Sequence, residues 1–184
     1  MSEKLSEKIY ISIIRDIASG KLDSRTFLSE AQVAEQYGVS KAPVRDALHL
    51  LVSQGYLISY HRKGYLVNSF SVDELNQLQA IRRQLEKMAV ELIIENASDE
   101  EIEKLREFTP DKMELSNHFF HLELARLSGN QYLPEALEPY LHKLTFAKFK
   151  AKYNVDAQMR LIDALLARDL AGAYERLDEN IQFF

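Results

Sequence analysis

The chain reads as a mostly α-helical protein in two parts, three short helices with a β-hairpin followed by an all-α helical bundle. Three observations lead there. Gly20, Gly38, Gly55 and Gly64 fall in the first part and Gly129 and Gly172 in the rest, so short elements on tight turns precede long uninterrupted ones. Apolar residues recur at helical spacing over most of the chain, but residues 56–68 switch to β-formers around a polar turn. At 184 residues, 46% hydrophobic and 28% charged, the chain can bury a core as one domain or two small ones.

The elements follow in order. Ile9, Ile13, Ile14 and Ile17 predict a first amphipathic helix over residues 5–19, stopped by Gly20. Ser29-Glu30-Ala31-Gln32 reads as a capping box for a second helix that ends at Tyr37-Gly38. Ser40 caps a third, with Pro43 in its first turn, where a missing N–H costs nothing. Val44, Ala47, Leu48 and Leu51 form its buried stripe, and Gly55 ends it. Tyr56-Leu57-Ile58-Ser59-Tyr60 and Tyr65-Leu66-Val67 flank His61-Arg62-Lys63-Gly64 as a hairpin. After a connection at Ser69–Ser71, helices are expected over 72–96, 99–108, 111–128, 132–153, 155–167 and 170–182, giving domains at 1–70 and 71–184.

Composition excludes several function classes. With no Cys there is no disulfide framework, thiolate metal site or cysteine nucleophile, which suits a reducing cytoplasm. The opening Met1–Lys8 is charged where a signal peptide needs an apolar core. No apolar run approaches the roughly 18 residues of a membrane span. A cytoplasmic protein without membrane association is therefore expected. The net charge of −5 averages over unequal halves. Residues 1–70 hold 9 Lys and Arg against 7 Asp and Glu, and residues 71–184 hold 14 against 21.

Three helices and then a hairpin, with Gly38 in the turn between the second and third helices, is the layout of a winged helix-turn-helix. The run Leu28-Ser29-Glu30, Val33-Ala34-Glu35, Tyr37-Gly38-Val39-Ser40-Lys41-Ala42-Pro43-Val44-Arg45-Asp46-Ala47-Leu48, then Leu51, Gly55-Tyr56-Leu57 and a basic hairpin with Gly64, resembles the GntR family of bacterial transcription regulators over residues 5–68. Lys41 and Arg45, spaced i,i+4, share one face opposite the Val44/Leu48 stripe, with Arg45 the candidate for a guanine edge. Ser40 and the helix N-terminus suit a phosphate, Arg62 and Lys63 on the wing a neighbouring backbone or the minor groove, and Gly64 a close backbone approach to DNA. Ser29 completes the DNA-binding set. The family usually has Arg at Lys41 and a hydroxyl residue at Ala42; Lys keeps the charge but loses the fork and Ala42 removes a polar contact, so the family's affinity and base preference do not carry over directly.

The second half is similar to the subfamily named for the FadR C-terminal domain (FCD). The points of similarity are Ile81-Arg82 with Leu85-Glu86, Phe120-His121 with Leu124-Ala125 and Ser128-Gly129-Asn130, and Ala164-Leu165 with Ala167-Arg168-Asp169. The resemblance implies a dimerising helical bundle around a pocket for a small organic acid, often with a divalent metal. Metal-binding members have Asp, His and His where this chain has Asn117, Gln158 and Asn180, so only His121 remains. Amides are weak ligands beside imidazole and carboxylate, and no metal or other cofactor is expected. Arg82, Asn117, His121, Gln158 and Asn180 become a hydrogen-bonding effector site. Other readings stay open. The amides also suit a filled structural network, Arg82 a partner in Glu86, and His118 with His121 a surface pair, a satisfied core histidine or metal ligands. Tyr140, Phe146, Phe149 and Tyr153 read as core or dimer interface, and Phe108–Asp111 as a shortening of the family's helix pair.

The expected function is that of a homodimeric, sequence-specific regulator of transcription, a repressor, on a pseudo-palindromic double-stranded DNA operator. A small-molecule effector, a carboxylate among the candidates, sets its activity. Alternatives are a regulator whose second domain only dimerises, a sensor that has lost DNA binding, and a metal-dependent hydrolase using His118 and His121. The hydrolase lacks a third ligand and a paired general base, so no catalytic residue is expected.

Overall fold

The computed structural model describes residues 2–108, 116–147 and 155–181. The chain divides into two compact units, the first built on residues 1–70 and the second on most of residues 71–184.

In the first unit, helix α1 (Ser2–Ala18) buries Ile9, Ile13, Ile14 and Ile17. Helix α2 (Glu30–Tyr37) opens with the Ser29/Gln32 capping box and closes on Gly38 at φ 65°, the left-handed cap that glycine takes without a Cβ penalty. Helix α3 (Lys41–Ser53) turns Pro43, Val44, Ala47, Leu48 and Leu51 inward. Ser40 has N-cap backbone geometry, but its side chain makes no capping hydrogen bond, which corrects the expectation of a hydroxyl cap. Strands β1 (Leu57–Tyr60) and β2 (Gly64–Val67) pair antiparallel with Leu57 opposite Val67 and Tyr60 opposite Gly64. Tyr56, Leu57, Tyr65 and Val67 close the core with the helices. Leu28 adds a bridge to Tyr65 through two backbone bonds of 2.7 and 2.8 Å.

In the second unit, α4 (Val72–Asn96) starts at the Ser71/Glu74 capping box. The Ser98/Glu101 box starts α5 (Asp99–Glu103), and the expected helix over 99–108 passes into a 3-10 turn at Lys104–Phe108. The reason is periodic: Ile102 and Leu105 are buried and Phe108 packs against the same core, and residues three apart eclipse on one face of a 3-10 helix. Helices α6 (Ser116–Leu127), α7 (Leu133–Ala147), α8 (Val155–Leu166) and α9 (Leu170–Asn180) complete the unit. Phe120, Leu124, Leu137, Leu141, Leu161, Ile162, Leu165, Ala173 and Leu177 pack with α4 into one core. The segment Thr109–Asp111 and the side chains of Phe146, Phe149 and Tyr153 lie outside the described residues, while Tyr140 is half-buried. Among the described residues no helix is long and apolar enough to cross a membrane.

Candidate nucleic-acid interface and effector site

The stripe that seats α3 in its core leaves Lys41 and Arg45 exposed on the other face. Arg45 is not free there. Its Nε and Nη2 donate to the two carboxylate oxygens of Glu30, the first residue of α2, at 2.9 and 2.8 Å. The arginine side chain is 54% exposed, so water screens the pair and it contributes little to stability. Arg45 in turn holds the Glu30 carboxyl below its ordinary value. Among the described residues of this unit, Lys21 and Arg25 are also paired, with Asp16 and Asp23, but Lys41, Arg62 and Lys63 form no ion pair. These three cations stand at the start of α3 and at the hairpin tip, where Arg62 takes φ 61°.

The remaining predicted contacts divide. The Ser29 hydroxyl is committed within the chain, accepting from the Gln32 N–H at 3.2 Å and donating to its side-chain oxygen at 2.8 Å. Ser40 keeps its hydroxyl out of capping, beside the N–H groups of the α3 N-terminus that favour an anion. Gly64 has an internal reason to be glycine: φ is 103°, and a Cβ would stand 2.3 Å from the Leu28 carbonyl oxygen. The Leu28 bridge to the wing requires it, a contact that no local pattern signals.

In the second unit the predicted effector residues gather as a buried polar network. Arg82 and Glu86 sit one turn apart on α4, and Arg82 Nε donates to Glu86 Oε1 at 2.5 Å with both side chains at most 3% exposed. Arg82 Nη1 donates weakly to Gln79 at 3.4 Å. His121 on α6 reaches Glu86 Oε2 with Nδ1 at 2.7 Å, and its Nε2 faces Asn180 of α9 at 3.2 Å. Gln158 of α8 donates to Asn117 of α6 at 2.8 Å. The set therefore forms two groups, Arg82–Glu86–His121–Asn180 and Asn117–Gln158. Two donors of the first group, Arg82 Nη2 and Asn180 Nδ2, are buried without a partner. Such an orphan costs about 1–3 kcal/mol. Glu86 and Gln79 were not among the predicted site residues, although the i,i+4 spacing already pointed to the Arg82–Glu86 pair.

Electrostatics fix the protonation states. Burial alone would raise the Glu86 carboxyl, but the charges of Arg82 and His121 and their hydrogen bonds hold it below its ordinary value. Burial and Arg82 push His121 down. His121 thus spans two oxygens, Glu86 Oε2 at Nδ1 and Asn180 Oδ1 at Nε2, and the tautomer decides which of them accepts its N–H. His118 does not share a site with His121. Its ring lies 4.6 Å from that of His142 on α7, and burial pushes it down to about 3. A separate cleft of about 380 Å3 beside α5 and α6, lined by Lys104, Leu105, Phe108, Glu123 and Arg126 among others, shares no residue with the network.

Residues 5–67 match the family model of the bacterial regulatory proteins of the gntR family, and residues 77–183 match the FCD domain. The chain belongs to the GntR family, with an FCD domain as its second part. An uncharacterized HTH-type transcriptional regulator of Bacillus subtilis, YdhC, is 31% identical over 71% of this chain and 64% of its own length, so under two thirds of that relative is spanned. The gluconate operon transcriptional repressor of the same species is 24% identical over 89% of this chain and 76% of its own. The solved structure of Escherichia coli McbR/YncC superposes with a TM-score of 0.72 at 25% identity, covering 97% of this chain and 93% of that one. The FCD family often carries a divalent metal, but the donor set here does not fit one. Of the four positions, Asn117, His121, Gln158 and Asn180, one is an imidazole and three are amides, weak ligands of which two are bonded to each other.

Proposed function

We propose that this GntR-family chain represses transcription as a homodimer, binding a pseudo-palindromic operator through the first unit and a small-molecule effector through the second. The observation that carries the DNA reading is the placement of Lys41, Arg62 and Lys63 without ion pairs at the recognition helix and wing tip, with Arg45 exposed on the same helix and paired with the half-buried Glu30 carboxylate. Phosphates take the unpaired cations, and a guanine edge takes the Arg45 fork from Glu30. A repressor's name on one relative supports the sign of the effect. Such a protein works where the DNA is, in the cytoplasm.

The effector we propose is a small organic acid or a related oxygen-rich metabolite, held by Arg82 Nη2 and Asn180 Nδ2 without a metal among Asn117, His121, Gln158 and Asn180. Because Glu86 already balances the charge of Arg82, oxygen acceptors matter more than net charge. Differential affinity for two arrangements of the protein is what would turn that binding into a change of operator affinity.

One binding assay tests both halves. Arg45→Ala is expected to cost about 1–3 kcal/mol on the cognate operator and to blunt discrimination at one base pair. Equal losses on operator and random DNA would make Arg45 a phosphate clamp instead. Carboxylates that raise thermal stability should also shift operator affinity, and the shift should vanish in Arg82→Met. If no stabilising compound moves operator affinity, the second unit only dimerises.

A further inference from the structure

A second cluster in the helical unit takes no part in the effector network. Glu138 and His142 lie one turn apart on α7, and His118 of α6 stands against them. Each offers one ligand atom, and the three atoms lie within 4.8 Å of one another. His118 is 5% exposed, hydrogen-bonds to the Leu141 backbone and leaves Nδ1 buried without a partner. His142 Nε2 is 3.7 Å from Glu138 Oε1. We propose that His118, Glu138 and His142 bind a divalent transition ion, zinc being the best match, at a site separate from that around His121.

The chemistry suits such an ion. Two imidazoles and one carboxylate, with a fourth position left to water, form a common zinc set. Harder ions such as magnesium and calcium prefer all-oxygen shells. Burial holds both imidazoles below their ordinary values, so they are neutral at pH 7 and no proton need leave. The Leu141 backbone bond orients the His118 ring, as a hydrogen bond to the other ring nitrogen does for metal-binding histidines. Metal bonds of about 2.0–2.2 Å require the ligand atoms to close in. The Glu138 side chain, 48% exposed, has the freedom to do so. The closed site would tie α6 to α7 by a link that depends on metal supply.

Cobalt(II) on the full metal-free chain is the probe, read by its visible absorption, with calorimetric titration of zinc and thermal midpoints beside it. One equivalent per chain is expected, with a four-coordinate cobalt spectrum and a raised midpoint. Glu138→Gln and His142→Gln should weaken binding by at least about tenfold, while His61→Ala and His121→Gln leave it intact. Glu138 is exposed, so its variant tests the site without disturbing the core, and circular dichroism verifies folding of each protein. Absence of binding at tens of micromolar metal overturns the proposal. So does undiminished binding in Glu138→Gln and His142→Gln, and so does loss in His121→Gln alone, which would put the ion at the other cluster.

Discussion

Arg82, Glu86 and His121 set how the helical unit answers to acid. Arg82 and Glu86 cancel each other's charge, so a proton on His121 would leave an uncompensated positive charge in the interior, where an unpaired ion is expensive. The Glu86 carboxyl is held below its ordinary value. Its contribution to stability is therefore complete above the unfolded value of about 4.3 and is lost as pH falls through the lower folded value. Burial and Arg82 hold the folded His121 below its ordinary value, whereas the unfolded ring takes up a proton below about pH 6.5, so acid again favours unfolding. Denaturation at a series of pH values should give a plateau above about 6.5 and a decline toward acid. Glu86→Gln should remove the most acidic part of that decline and cost about 3–5 kcal/mol at neutral pH, because Arg82 is left buried and unmatched. A wild-type profile flat down to pH 4 would contradict this assignment. The Arg82–Glu86 partnership was legible from a four-residue spacing. The Arg45–Glu30 pair and the Gly64–Leu28 contact were not, because they join distant residues that carry no local mark.

Helix boundaries were legible where a cap announces them. The boxes at Ser29, Ser71 and Ser98 are contained in four-residue windows, and α4 spans the expected 72–96. The 3-10 turn after α5 escaped because apolar residues three apart fit an α-helical pattern equally well. The start of α9 offers a quantitative test of how caps and helix formers trade. The Asp169 carboxylate accepts from the Gly172 N–H at 3.0 Å, and a Cβ on Gly172 would stand 2.2 Å from the other carboxylate oxygen. Asp169→Ala should cost about 1 kcal/mol of stability through loss of the cap. Gly172→Ala would ordinarily gain about 0.5–1 kcal/mol in a helix, but here it must displace the cap and should be nearly neutral. In the Asp169→Ala background the same substitution should recover its full gain. A double-mutant cycle by chemical denaturation would then show coupling of roughly 1 kcal/mol, and additive effects would mean that the carboxylate does not act as the cap.

For the whole molecule, the acidity lies in the second part, with residues 1–70 carrying 9 Lys and Arg against 7 Asp and Glu. So small an excess gives little attraction to random DNA. Three of those cations already face carboxylates of their own unit, Lys21, Arg25 and Arg45, and Lys41, Arg62 and Lys63 are the ones proposed to meet phosphate. A proposed dimer would bring six such groups to one operator. Each phosphate neutralised releases condensed counterions, so the logarithm of affinity should fall against that of salt concentration with a slope near roughly −5. Lys63→Ala, which alters both protomers at once, should flatten the slope by roughly 2 while leaving base preference unchanged. A slope near half the expected value in the wild type would indicate binding by a single reader, and an unchanged slope in Lys63→Ala would remove the wing tip from the interface. With so few unpaired cations at each recognition helix and wing, either reader binding alone would be outcompeted by bulk salt, and occupancy of an operator would depend on the two readers engaging together.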